Sequence, residues 1–379
     1  MIYADNAATT RISDSVFEKM RPFLREQYGN ASSQYSFGAK AKRAIETART
    51  QVAVAIGAEP AEITFTSGGS EANSWIFRCI ADTYRNQPMH IVTTAIEHPS
   101  VLNACRVLER NGVEIDYLPV DKTGLVSIED VKAAINPHTK LVSIMLANNE
   151  IGTIQPLEEI GRFLRERGIL FQTDAVQAVG HIPVDVRDLR VDFLTASSHK
   201  HGGAKGTGIL YKRAGLELSP LVFGGEQERG LRAGTENVAG IVAAGYAVEE
   251  SVDAMDETAK KLRSMIETTV IGIKEKIASV RVNGDTDNRL PGIVNLGFNG
   301  VSGESLMHLL DLKGICVSTG SACYSGKDKP SHVLLALGQT EQQAKSAIRI
   351  SYGRENLLEE TENVVKAICD AYDKIIIST

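Results

Sequence analysis

Between residues 37 and 213 short β-rich runs alternate with helical stretches, and no other feature narrows the fold of this chain as much. The runs are Ile63-Thr-Phe-Thr66, His90-Ile-Val-Thr-Thr94, Glu114-Ile-Asp-Tyr-Leu118, Leu141-Val-Ser-Ile-Met-Leu146, Leu170-Phe-Gln-Thr173, Val191-Asp-Phe-Leu-Thr-Ala196 and Thr207-Gly-Ile-Leu-Tyr211. Helical patterns at 69–84, 98–110 and 157–167 separate them, the last introduced by Pro156. Such alternation predicts βαβ units on a mostly parallel sheet, and in such sheets ligands bind beyond the carboxyl ends of the strands. A long amphipathic stretch at 237–278 leads to a second region with strands at 292–298, 316–319 and 347–352, so a domain change is expected within that stretch, near 260.

Composition removes several classes of function. With 379 residues, 43% of them hydrophobic, the chain is globular and long enough for a large domain and a smaller one. A net charge of −6 with interspersed signs and no basic block points away from nucleic acid and from anionic membrane surfaces. No segment reaches the roughly 20 apolar residues of a bilayer span, and Met1-Ile-Tyr-Ala-Asp-Asn6 does not read as a signal peptide, so a cytoplasmic protein is expected. The five cysteines form no C-x-x-C pair, which argues against a disulfide framework or a zinc knuckle. Cys79, Cys105 and Cys369 lie on apolar helical faces and Cys316 in a short strand, where a thiol acts as a small hydrophobe. Cys323 differs, because Ser321-Ala-Cys-Tyr-Ser-Gly-Lys-Asp-Lys-Pro330 is polar and aperiodic.

Four loops after predicted strands carry polar groups that a core would not leave unpaired. Thr66-Ser-Gly-Gly-Ser-Glu-Ala-Asn73 combines glycines with a helix start, which suits a phosphate and equally suits an ordinary N-cap. Asp174 ends a buried strand, where an acid needs a cation or several donors. Asn148-Asn-Glu-Ile-Gly152 and Glu97-His-Pro-Ser100 place further polar side chains, His98 among them, at the same edge. In Ser197-Ser-His-Lys-His-Gly-Gly203 a lysine sits between two histidines at a strand end; on that loop alone a surface lysine in a turn is an adequate reading.

Taken in order, these motifs resemble the enzymes of the aminotransferase fold that use pyridoxal 5'-phosphate (PLP), and within them the cysteine desulfurases of the NifS/IscS type. The resemblance runs through Tyr3-Ala-Asp-Asn-Ala-Ala-Thr-Thr10, Glu97-His-Pro99, Asn148-Asn-Glu-Ile-Gly152, Thr173-Asp-Ala-Val-Gln177 and Ser198-His-Lys200. It continues through Arg229-Gly-Leu-Arg-Ala-Gly-Thr235, Ser318-Thr-Gly-Ser-Ala-Cys323 and Ile348-Arg-Ile-Ser351, and so covers nearly the whole chain. It implies an α/β, type I PLP fold, with residues 16–259 as a large PLP-binding domain and residues 1–15 and 260–379 as an α/β small domain. It implies that Lys200 binds the PLP aldehyde, that Asp174 pairs with the ring nitrogen, and that His98 stacks on the ring and shuttles protons. Gln177 would bond the ring hydroxyl with Asn149 beside it, and Gly69, Ser70, Ser197 and His199 would hold the phosphate. Thr235 would reach the phosphate of a neighbouring subunit, which implies a homodimer with composite sites. Arg349 would bind the carboxylate of L-cysteine and Cys323 would take its sulfur as a persulfide, leaving alanine.

Ser198, Ala204 and Arg11 depart from the family pattern by small local changes, and Lys327-Asp-Lys329 is unlike its usual loop. The chain stops at Thr379 without the C-terminal extension with which the IscS branch meets its scaffold. Iron–sulfur assembly, tRNA thiolation and selenium delivery therefore stay open as destinations of the sulfur or selenium. A carbon–sulfur lyase or aminotransferase would need Lys200 and Asp174 but not Cys323, and a non-catalytic interaction protein would need none of the three.

Overall fold

A computed structural model describes residues 1–320 and 329–378. Seven strands form one sheet in the order Ile63–Thr66, Gly208–Lys212, Phe193–Ser197, Leu170–Asp174, Thr139–Ser143, His90–Thr94 and Glu114–Leu118. Only Gly208–Lys212 runs against the other six, so the sheet is mostly parallel as the alternation predicts. Consecutive residues serve opposite faces: Val92, Val142, Leu194 and Ile209 join one apolar cluster, while Ile91, Leu141, Phe193 and Leu210 join another. Helices Ser36–Ala55, Leu157–Glu166 and Val238–Asp253 cover the first face, and Gly69–Thr83 and Pro99–Arg110 the second. Covered on both sides, central strands such as His90–Thr94 and Phe193–Ser197 bury every residue, whereas the edge strand Glu114–Leu118 leaves part of one face to solvent.

The strand expected at 141–146 is shorter, ending at Ser143, although the Ile144 and Leu146 amides still bond to the Gln172 and Asp174 carbonyls. Beyond it the chain turns back at Asn148, whose Oδ1 accepts from the Glu150 and Ile151 amides. The long helical stretch is two helices, Val238–Asp253 and Met255–Lys276, separated at Ala254. The second of them packs Leu262, Met265, Ile266 and Ile273 into a third cluster with Val294, Leu296, Ile348, Ile350 and Ala4. There Ala347–Ser351, Ile293–Gly297 and Arg281–Asn283 make an antiparallel sheet, and Ile2–Tyr3 pairs in parallel with Ile315–Cys316. The N-terminal segment thus crosses from this smaller sheet to the carboxyl edge of the large one, where the Thr10 amide bonds to the His199 carbonyl.

Candidate active site

The carboxyl ends of the parallel strands open into a cavity of about 410 Å³, within the usual size range for a small-molecule site. Asp174, the last residue of its strand, is buried there. Its Oδ2 accepts from Asn73 Nδ2 at 2.8 Å and its Oδ1 from the Val176 amide at 3.0 Å, both neutral donors. Asn73 in turn is held through Oδ1 by Gln172 Nε2 (2.8 Å) and Thr195 Oγ1 (2.9 Å), a buried network with Asp174 at its end. Among the described residues this carboxylate takes part in no close ion pair, and the Lys200 amine stands in the same cavity.

Lys200 follows the strand Phe193–Ser197 on a single turn of 3-10 helix, Ser198–Lys200. Its Nζ donates to the Ala7 and Ala8 carbonyls at 2.7 and 2.8 Å, which holds the half-buried amine in the wall of the cavity. Gln177 Nε2 donates to the same Ala7 carbonyl at 2.9 Å. His98 caps the helix Pro99–Arg110, its Nδ1 accepting from the Ser100 amide at 3.2 Å and meeting Ser100 Oγ at 2.8 Å. Burial, reinforced by the Lys200 charge and opposed by Asp174, lowers its pKa and favours the neutral imidazole. Burial and the same lysine push His199 down to about 4, while its Nδ1 meets Thr9 Oγ1 at 3.1 Å.

Gly69 and Ser70 line the cavity at the N-terminus of Gly69–Thr83, and Ser197 lines it beside them. A side chain at Gly69 would strike Val176 Cγ2 at 2.7 Å, and one at Gly208 would strike the Gly68 backbone at 2.5 Å, so this corner admits only glycine. Arg349 is buried at the other end of the cavity, donating from Nη2 to Asp5 Oδ1 at 2.7 Å and from Nη1 to the Asn149 carbonyl at 2.9 Å. Its Nε is buried without a hydrogen-bond partner among the described residues, a donor awaiting an acceptor. Asn149 lines the cavity beside it.

Ten of the residues singled out from sequence therefore share one cavity. Thr235 does not line it: it is exposed on the loop before the helix Val238–Asp253. Cys323 lies outside the described residues. Cys79, Cys105 and Cys369 are buried and Cys316 is half-buried in its strand. Sequence reasoning passed over Asn73, Asp5 and two buried acids. Glu97 accepts from the Met145 amide and Thr94 Oγ1, but burial outweighs these and, with help from Asp174, pushes it up to about 8. Glu150 accepts from Ser331 Oγ and stands near Arg349, and burial still raises it to about 7. Both stand inside quoted motifs, where only an acid within an otherwise buried turn marked them.

The aminotransferase class-V family model matches residues 2–364. The chain belongs to this family. Among class-V relatives, it is 47% identical over 369 residues to "Cysteine desulfurase IscS" of Clostridium botulinum, covering 97% of this chain and 93% of the relative. It is 46% identical to the protein of the same description in Methanosarcina thermophila, with 99% and 92% covered. A solved structure described as a NifS-like protein superposes with a TM-score of 0.92 at 40% identity, covering 97% of this chain and 98% of that one. As a class-V member the chain has the type I fold of the PLP enzymes, its mostly parallel sheet included.

Proposed function

We propose that this chain is a PLP-dependent cysteine desulfurase that converts L-cysteine to L-alanine and keeps the sulfur as a persulfide on Cys323. The observation that carries the reading is one cavity that brings together the buried Asp174 carboxylate, the Lys200 amine and the Arg349 guanidinium, whose Nε has no hydrogen-bond partner among the described residues. Asp174 would pair with a protonated ring nitrogen and keep it charged. When bound, PLP provides an electron-accepting ring that takes up charge from the substrate's Cα. Lys200 would bind its aldehyde and move the proton at Cα; Gly69, Ser70, Ser197 and His199 would hold its phosphate, with the helix N-terminus facing the anion. His98 enters as a neutral imidazole able to accept a proton, and Gln177 and Asn149 as donors to ring substituents.

Arg349 would grip the substrate carboxylate through Nε and a neighbouring Nη proton, with Asp5 fixing the guanidinium in place. Cys323 then attacks the substrate sulfur: the S–S bond forms as the carbon–sulfur bond breaks, and the released carbon gains a proton to end as the alanine methyl. No outside oxidant or reductant enters that step. Residues 16–259 act as the cofactor-binding unit, with 1–15 and 260–379 as a smaller unit that contributes Arg349. Thr235 is exposed and does not line its own cavity, which supports a homodimer with composite sites. We place the enzyme in the cytoplasm, handing sulfur to an iron–sulfur scaffold or a tRNA-thiolation enzyme. The test is product analysis with L-cysteine and a thiol reductant, where alanine and sulfide should appear in equal amounts; pyruvate and ammonia in place of alanine would favour a lyase.

A further inference from the structure

Ion pairs tie down the loop 226–235: Glu228 with Arg49, Arg232 with Glu71 and, in a more exposed position, Arg229 with Glu46. Glu228 and Arg229 both take left-handed backbone angles, φ 48° and 60°, which non-glycine residues avoid unless their surroundings impose it. Glu228 is held by Arg49, buried beneath: its Nη1 and Nη2 donate to Glu228 Oε2 and Oε1 at 2.7 and 2.9 Å, and the Phe65 amide donates to the same Oε2 at 2.9 Å, while Arg229 Nη1 donates to the Pro60 and Ala61 carbonyls at 3.3 and 3.1 Å. Phe65 lies in the strand that runs directly into Ser67-Gly-Gly-Ser70.

The second pair sits at the corner itself. Arg232 donates from Nε to Glu71 Oε1 at 2.9 Å and from Nη2 to Glu71 Oε2 at 3.2 Å, while the Ser67 amide donates to Glu71 Oε2 at 2.9 Å. Glu71 serves its helix well, since an acid in the first turn complements the dipole and here ties down the preceding loop. The same charge next to Ser70 repels a bound phosphate. Burial opposes the Glu71 charge, but Arg232 and the Ser67 donors outweigh it, so the carboxylate stays ionised, with the Arg232 guanidinium as its ion-pair partner among the described residues.

We propose that Arg232 is a positioning residue for the cofactor phosphate, acting through Glu71: it cancels the carboxylate at the mouth of the helix Gly69–Thr83 and leaves the Gly69 and Ser70 cradle attractive to a dianion. This rests on the reading of the cavity as a PLP site. Dissociation constants for PLP and for pyridoxal, which lacks the phosphate, test it on protein freed of cofactor. Arg232→Ala should weaken PLP about tenfold and pyridoxal by no more than about twofold, because an uncompensated charge acts only on the anion. Adding Glu71→Gln should restore PLP binding to within about threefold of wild type, a coupling that a purely structural defect does not produce. Arg232→Lys keeps the charge and should stay within about threefold.

If Arg232→Ala does not yield folded protein, Arg232→Gln against Arg232→Lys makes the same comparison. Equal weakening of PLP and pyridoxal, or a double variant as weak as Arg232→Ala, overturns the inference while leaving the cofactor assignment standing. A wild-type protein that binds no PLP overturns both.

Discussion

At one end of the cavity Gly69, Ser70, Asp174, Ser197 and Lys200 all stand at the carboxyl ends of strands of a single sheet or in the turns that follow them. At the other end Arg349 draws on Asp5, Asn149 and, through backbone bonds in both directions, Ser318, so that four separate parts of the chain meet there, its own strand included. The first end is rigid because a sheet covered on both faces fixes it. The second is assembled only when the N-terminal segment, the small sheet and the large sheet have all come together. Cofactor binding and substrate binding should therefore respond separately to substitution.

The largest effect is expected from Lys200→Ala, which would remove the proposed covalent anchor and proton carrier together. Alanine formation should fall by about 10³-fold or more, and residual turnover near the wild-type rate would remove Lys200 from the mechanism. Asp174→Asn should lower kcat/KM by about 10²-fold, as expected when one contact charge that sets a pKa is lost, and should shift the visible spectrum of the bound cofactor. Arg349→Lys tests the other end: KM for L-cysteine should rise about tenfold or more while the affinity for PLP stays unchanged. An Arg349 variant that loses PLP would mean that the two ends are not separable.

A smaller effect concerns pH and the stability of the protein freed of cofactor. Behind Lys200, the partly buried His181 and the buried His201 are held down to about 4 and about 3, chiefly by desolvation. Both ring nitrogens of His201 lack a hydrogen-bond partner among the described residues. Below the ordinary histidine value of 6.5 the unfolded chain binds protons that the folded one refuses, so stability falls as pH drops from 6.5 toward those values. Glu97 and Glu150 work in the opposite sense: with folded values of about 8 and about 7 against 4.5, their contribution is complete below 4.5 and is lost as pH rises through 7 and 8. Thermal unfolding across pH should show a shallower acid side in His201→Leu and a shallower alkaline side in Glu97→Gln; slopes identical to wild type would refute both assignments.

Sequence legibility follows the same division. The cofactor end could be read because each of its residues follows an apolar run within a few positions, so strand periodicity alone places Asp174 and Lys200 at one edge. Arg349 lies within a strand whose neighbours are Ile348 and Ile350, and only the family resemblance marked it. Its partner Asp5 and the acid Glu150 escaped notice because their burial depends on contacts between distant segments, which no local pattern encodes. Asn73 was quoted as the end of a loop, yet it is the buried hub that orients Asp174, because Gln172 and Thr195 reach it from two adjacent strands. The strand end at Ser143 was misjudged by three residues because Ile144 and Leu146 keep their sheet bonds while the chain is already turning.

In the proposed reaction sulfur leaves L-cysteine for a protein thiol, Cys323, whose sequence neighbourhood Ser321–Pro330 is polar and aperiodic. Treating the wild-type protein with L-cysteine in the absence of reductant and mapping its peptides by mass spectrometry tests this most directly. One added sulfur atom should appear on the peptide that holds Cys323 and be absent from the peptides holding Cys79, Cys105 and Cys369, whose buried thiols are poor nucleophiles. Sulfur on another cysteine, or alanine formation at the wild-type rate by Cys323→Ala, would contradict the account.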